Sequence, residues 1–258
     1  MLMQVVNIRI RPDAIAQFER LYAQSILPAL ERVTGCLYAG LLQNVASEND
    51  GLSLTLWENR ESLSAYRASG RFEALIDLSR PFFADGEEWK LTIGNEGQVE
   101  YVPVPPEPEV RSYAQGTAAA SPPPGDGGTS LMYLRMVTIP VRPEMAGEFR
   151  RIYERDVHHA LAATRGCRFV FMVENTERPG EWVCITIWER KEDADRYEEE
   201  GGFRKTSEKF GPALTELFQW KVAMGKTLGR QAVTSDDMAV KGYRVIVGRS
   251  FNREGARG

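Results

Sequence analysis

The sequence predicts an α+β protein: two tandem ferredoxin-like units, each β-α-β-β-α-β, whose antiparallel sheets pack against each other. Three observations lead there. First, one stretch occurs twice, as Leu52-Ser53-Leu54-Thr55-Leu56-Trp57-Glu58 and as Val183-Cys184-Ile185-Thr186-Ile187-Trp188-Glu189. The first is followed by Tyr66, Gly70 and Phe72, the second by Tyr197, Gly201 and Phe203, every pair 131 positions apart. Second, the apolar period around each copy alternates between strand and helix in the same order. Third, a single such sheet covers one face with its own helices and leaves the other bare, so a second sheet must bury it.

In the first unit, Val5 to Arg11 alternates, with Val6, Ile8 and Ile10 on one side and Val5, Asn7 and Arg9 on the other. Pro12-Asp13 suits the first turn of a helix, and Ile15, Phe18, Tyr22, Ile26, Ala29 and Val33 continue it at helical spacing. Gly35 fits a left-handed helix cap. Cys36–Asn44 and Leu52–Trp57 read as the second and third strands, separated by a Ser47–Gly51 turn. A helix from Arg60 crosses the Ser69-Gly70 break towards Phe83, and Glu88–Ile93 is the expected fourth strand.

The same order restarts without a gap at Arg142-Pro143, with Gly166-Cys167 matching Gly35-Cys36 and Trp220-Lys221 matching Trp89-Lys90. About twenty identities fall in roughly ninety aligned positions, against about five or six by chance, so the duplication is real. The expected organisation is a first domain over 1–94, a Pro/Gly/Ala-rich linker over 95–130 with a mobile second half, a second domain over 131–228, and a tail over 229–258. Within that tail Tyr243–Val247 is a candidate strand able to cover a sheet edge.

Composition excludes several classes. With 43% hydrophobic and 26% charged residues the chain is globular, and a net charge of −4 gives no basic footprint for nucleic acid. No apolar run reaches the ~20 residues of a membrane span. Three cysteines without a Cys-x-x-Cys pair, and only two histidines, argue against a metal site and suit a reducing cytoplasm.

Strand parity singles out the candidate site. Leu52, Leu54 and Leu56 share one face, whereas Ser53, Thr55 and Trp57 share the other, a partly polar face that can line a cavity. Tyr22 and Tyr153 lie on the inner faces of the first helices, Tyr66 and Tyr197 on the second, each placed to aim a hydroxyl between helix and sheet. Arg9 and Arg67 have no counterpart in the second half, where Pro140 and Glu198 stand, and suit an anionic group. Of the two imidazoles, a period of 100° per residue puts His158 opposite the buried stripe and His159 on its flank, so a histidine base would be His159. The bland alternative is that the tryptophans are fold-defining core residues, the tyrosines core-boundary residues, Arg9 and Arg67 solvated charges and the histidines surface or boundary residues, and it is the stronger reading for each.

The strand Val5–Ile10, Leu27-Pro28, Gly35-Cys36 and Leu56-Trp57-Glu58 with Tyr66, Ser69 and Phe72 resemble the antibiotic biosynthesis monooxygenase superfamily over about 3–94 and 134–225. The resemblance implies a dimeric α+β barrel, formed here within one chain as an intrachain pseudo-dimer, with further homo-oligomerisation open. Family members include cofactor-free oxygenases of aromatic polyketides and quinols, haem-degrading enzymes, and proteins without known activity. It also places Asn7 where haem-degrading relatives keep a functional Asn, with Thr138 its counterpart. The haem reading then fails, because Ile76 and Ser207 stand where those relatives carry an axial His. The function implied is a cofactor-independent monooxygenase using O2 on a small phenolic, quinol-like or polyketide aromatic. Asn7, Trp57 and Tyr66 would be catalytic, and Tyr22, Arg9, Phe72, Tyr153, His159, Trp188 and Tyr197 would bind substrate. The alternatives are a non-catalytic ligand-binding or assembly module and a polyketide cyclase or isomerase on the same barrel.

Overall fold

A computed structural model describes residues 1–84, 89–93, 99–103, 108–115, 132–216, 219–220 and 240–251. The first unit runs β1 (Leu2–Arg9), α1 (Ile15–Leu21), a π-helical turn (Tyr22–Ile26), α2 (Leu27–Glu31), β2 (Cys36–Asn44), β3 (Asp50–Trp57), α3 (Arg60–Ala68) and α4 (Arg71–Ser79). Next come β4 (Trp89–Ile93), β5 (Val99–Pro103) and β6 (Glu109–Gln115). The second unit repeats the plan as β7 (Tyr133–Pro140), α5 (Ala146–Ile152), a π-helical turn (Tyr153–His158), α6 (His159–Ala162), β8 (Cys167–Asn175), β9 (Glu181–Trp188), α7 (Lys191–Glu199), α8 (Gly202–Phe210) and β10 (Val240–Ser250).

Eight of the described strands close into a barrel in the order β1-β3-β2-β10-β7-β9-β8-β6. All the pairings are antiparallel. Each half contributes a four-stranded ferredoxin-like sheet, β6-β1-β3-β2 and β10-β7-β9-β8, and closure leaves no edge among these strands. The predicted intrachain α+β barrel is therefore the observed one.

The fourth strands differ from expectation. Trp89–Ile93 does not join the barrel; it pairs with Val99–Pro103 in a separate two-stranded sheet. The place beside β1 is taken by Glu109–Gln115, inside the stretch whose prolines read as linker. A hairpin between strands a few residues apart closes a short loop, whereas β6 contributes an alternating Arg111, Ser112, Tyr113 in which Tyr113 is buried inside the barrel. In the second half Gln219 and Trp220 are helical, and the fourth strand comes from the tail as Val240–Ser250, longer than the Tyr243–Val247 expected. The Lys221 match and the second half of the linker, expected to be mobile, lie outside the described residues. These two added strands join the halves: β6 bridges β1 to β8, and β10 bridges β2 to β7.

Strand parity sorts the core into three layers. Met3, Val5, Leu52, Leu54 and Leu56 face Leu134, Val183, Ile185 and Ile187 inside the barrel. The opposite face of each sheet packs on its own helices, with Trp57, Phe18 and Tyr22 in one layer and Trp188, Phe149 and Tyr153 in the other. Local irregularities repeat as well. Both copies carry a π turn at the same place and a register shift at the start of the second strand. Gly35 and Gly166 are left-handed, with φ of 80° and 83°. A Cβ there would also overlap the Ser62 side chain or the Asp193 carboxyl, so both conformation and space demand glycine.

Candidate active site

Each half holds a cleft between its sheet and its helices, partly open to solvent, of about 450 Å³ in the first and 430 Å³ in the second with the open space included. In the first half the register sets Gln4 opposite Thr55 and Val6 opposite Ser53, so these four side chains form the floor. Tyr22 reaches over from the π turn, and Tyr66 and Phe72 come from α3 and α4. The rest of the wall is apolar, including Phe18, Ile26, Leu30 and Phe83, except for Ser79, whose hydroxyl donates to the Leu75 carbonyl.

Two hydroxyls meet in this cleft: Tyr22 Oη and Ser53 Oγ lie 2.8 Å apart, as the shared face of Ser53, Thr55 and Trp57 implies. Burial drives the Tyr22 phenol far above its ordinary range, only partly offset by the Ser53 hydrogen bond. Burial does the same to Tyr66. Both are therefore neutral donors at physiological pH, suited to stabilising an anion and unsuited to acting as bases. The described residues lining the first cleft include no carboxylate or imidazole.

Trp57 is fully buried and donates its indole N–H to Thr55 Oγ1 at 2.9 Å. It stacks on Tyr66 with centroids 4.9 Å apart, standing behind that ring rather than lining the cleft. Trp188 repeats this arrangement with Thr186 at 2.8 Å and does line the second cleft. There Tyr153 lies against Cys184, Oη to Sγ 3.8 Å, behind the lining, and burial holds Tyr153 well above its usual value. Tyr197 hydrogen-bonds Thr206 at 2.8 Å, and burial raises it to about 12. Phe72 is half-buried, edge-on to Tyr66.

Besides Trp57 and Tyr153, which stand behind the linings, three expected members lie away from these clefts altogether. Asn7 pairs with Leu52 and so projects from the barrel side of β1, opposite to Trp57; its amide donates to Glu109 at 3.3 Å. Arg9 sits at the strand end, its side chain 62% exposed and bonded to Asp50 at 2.8 Å. His159 is exposed, whereas His158 is half-buried with its ring 6.1 Å from Tyr153. The π turn causes the reversal, since its wider period breaks the 100° reckoning across Tyr153–His158. Its first-half equivalent does the same, burying Leu27 at the position matching His158. That second turn contains no proline, so Pro28 is not what sets it.

A polar group that the residue-level reading overlooked lies at the first cleft. Gln4 is 2% exposed, and its Oε1 accepts from Arg67 Nε at 3.0 Å. Arg67 also donates to Ser112 Oγ at 3.0 Å and stands 6.0 Å from the Phe72 centroid. The equivalent positions carry Arg135 and Glu198, ion-paired at 2.9 Å, with Arg135 at 4.7 Å over Phe203. The signal was present: Gln4 shares the face of Val6, Ile8 and Ile10, a lone amide on an apolar strand face.

A third cavity, of about 690 Å³ including open space, lies within the barrel. It is walled by Met1, Met3, Leu54, Phe171 and Ile185, with Tyr38 among them. Among the described residues no His/Cys/Asp/Glu cluster has metal-binding geometry. No helix there is long and apolar enough to cross a membrane.

The sequence profile of the family described as antibiotic biosynthesis monooxygenase matches residues 1–78 and 132–209, one match on each copy of the repeat. The chain therefore belongs to that family, as a tandem-domain member. Solved structures share the architecture at low identity. A protein of Lactobacillus acidophilus provisionally named a monooxygenase aligns with a TM-score of 0.62 at 10% identity, over 97% of this chain and 96% of its own. One from Fusobacterium nucleatum, named likewise, aligns with 0.58 at 10%, over 96% and 94%. An anthrone oxidase-like protein aligns with 0.55 at 12%, over 100% and 96%. At such identities the likeness is one of fold. No curated protein matches the chain.

Proposed function

We propose that the chain is a cofactor-independent monooxygenase of an electron-rich phenolic or quinol-like aromatic, acting in the first cleft. The supporting observation is the neutral Tyr22–Ser53 hydroxyl pair at 2.8 Å inside a mostly apolar, aromatic-lined cleft. Family membership and a fold shared with an anthrone oxidase-like protein are consistent with it. For an anthrone the balance closes without a further reductant. The methylene carbon loses two hydrogens and gains one oxygen of O2 as a carbonyl, and the second oxygen leaves as water. All four electrons come from the substrate. The anion formed by loss of the first proton is the species that reduces O2, so a pocket that stabilises this anion lowers the barrier. With neutral tyrosines and no basic group in the described lining, the cleft's part is anion stabilisation, with the proton leaving to solvent at the open side.

Oxygen uptake over a panel of anthrones and hydroquinones tests the proposal. Uptake above the enzyme-free rate, reduced about ten- to thousandfold in Ser53→Ala or Tyr22→Phe, is the expected result. Uptake equal to the enzyme-free rate across the panel refutes it.

A further inference from the structure

We infer that Gln4 is the anion-binding donor of the first cleft and that Arg67 is the residue that aims it, so that this cleft, and not the second, selects an aromatic oxyanion. The inference builds on the proposed function for its chemistry, but its binding claim stands on the geometry alone.

The carboxamide of Gln4 has one acceptor and two donor positions. Arg67 Nε donates to its oxygen at 3.0 Å, which fixes the orientation of the amide, because the reverse orientation would set N–H against N–H. The nitrogen is thereby turned away from Arg67. Gln4 is 2% exposed and lines the cleft, yet among the described residues its Nε2 has no hydrogen-bond partner. Among the described residues the fully buried unpaired side-chain polar atoms are Arg142 Nε and Trp182 Nε1, so Gln4 Nε2 keeps access to the cleft, and a donor facing a cavity without a protein acceptor is a place for an acceptor from outside. Arg67 also polarises the amide: a guanidinium on the oxygen strengthens the N–H groups as donors, most of all towards a negative oxygen.

Charge balance points the same way. Both hydrogen-bond acceptors of Arg67 are neutral, Gln4 and Ser112, and no described carboxylate lies within ion-pair distance of it. The first cleft thus carries the field of a cation with no acidic partner among the described residues. In the second half the same two positions hold Arg135 and Glu198, which neutralise one another at 2.9 Å. That cleft has neither the amide donor nor the uncompensated charge. An aromatic carrying a phenolate or enolate oxygen is the ligand this difference selects, with the ring in the apolar part of the cleft beside Phe72.

The probe is 4-nitrophenol, whose phenolate alone is yellow, titrated spectrophotometrically with the full chain. Wild-type protein is expected to bind the phenolate about ten- to a hundredfold more tightly than the phenol, which lowers the apparent pKa of the bound probe. Gln4→Leu should remove most of the preference, leaving only what the Tyr22 and Ser53 hydroxyls supply. Gln4→Glu, which keeps the shape and gives Arg67 a carboxylate partner, should invert it, and covers the case in which Gln4→Leu fails to fold. Arg67→Met should weaken the preference by freeing the amide, while Arg135→Met should leave it unchanged. Absence of binding, no preference in wild type, or a preference that survives Gln4→Glu overturns the inference. Oxygen uptake reads the proposed function separately. A Gln4-dependent phenolate preference without uptake would sink the oxygenase and leave this inference standing. Uptake indifferent to Gln4→Glu would do the opposite.

Discussion

Replacing Thr55 by Val tests whether the repeated Trp-Glu stretch is held by one hydrogen bond per half. The two side chains have nearly the same shape, so no cavity opens. What changes is that the Trp57 indole N–H, in a side chain with no exposed surface, loses its acceptor at 2.9 Å. A buried donor left unpaired costs about 1–3 kcal/mol. For a chain of this size that corresponds to a fall in Tm of about 2–12 °C. The longer contact from Thr55 to the Gln4 carbonyl, 3.5 Å, contributes little beside it. Thermal and urea unfolding of Thr55→Val, Trp57→Phe and the double variant form a cycle, with an expected coupling of about 1 kcal/mol or more. Trp182 serves as the internal control: it is equally buried, but its indole nitrogen has no partner. Trp182→Phe therefore loses packing and no hydrogen bond. A Thr55→Val cost below about 0.5 kcal/mol, or a coupling near zero, refutes the reasoning.

Other consequences follow from the same structure. Gly35→Ala should lose about 2–4 kcal/mol in urea unfolding, because φ of 80° is strained for any other residue and the new methyl meets Ser62; Ser62→Ala should restore only the steric share. Stability should be indifferent to the tyrosines below pH 10 and fall above it. There the unfolded phenols ionise near 10 while buried Tyr22 and Tyr153 stay protonated, and Tyr38 is held to about 12. Each such group gives a slope of about 1.4 kcal/mol per pH unit, so a urea midpoint unchanged between pH 9 and 11 contradicts the burial argument. Truncation before Val240 removes β10 and exposes the edges of β2 and β7, and light scattering should then show association; a monodisperse monomer would show that β10 is not the strand that closes the barrel.

Much of this architecture was legible because the informative signals are local. Alternation in Leu52–Trp57 assigns faces that the register confirms. The repeat carries Gly35, Gly70 and their counterparts into the same left-handed conformation. The sequence misleads where partners are distant or the period changes. Glu109–Gln115 is of ordinary strand length but largely polar and set close to prolines, and its long-range pairing with β1 and β8 is what defines it. The π turns leave no mark in composition, yet they rotate every later side chain of the helix, which is why His159 and His158 exchange environments. Asn7 illustrates the limit of position alone: alternation had already put it opposite Val6 and Ile8, and the barrel side is where it lies. Gln4 was readable by that same alternation, as a polar residue on the apolar face.

The exchange between Gln4–Arg67 and Arg135–Glu198 also bears on why two copies occupy one chain. In a symmetric dimer of identical subunits any substitution appears in both clefts. Both clefts must then be polarised alike, and a change at the strand position must suit the helix position of its own copy at once. Here the strand position is amide in one half and guanidinium in the other, and the helix position differs in step, so each pair remains complementary. Mixed combinations would not be. Arg at both positions sets two cations together within a layer that buries Arg135 to 5% exposure, and Gln4 with Glu leaves the amide oxygen without a donor. The guanidinium itself stays over the same aromatic in both halves, Phe72 or Phe203, although it arrives from α3 in one and β7 in the other. What the fused chain changes is which neutral or charged partner balances that cation, and hence whether its field reaches the cleft. That difference requires two copies free to vary separately inside one closed barrel, the arrangement that β6 and β10 secure by bridging the halves.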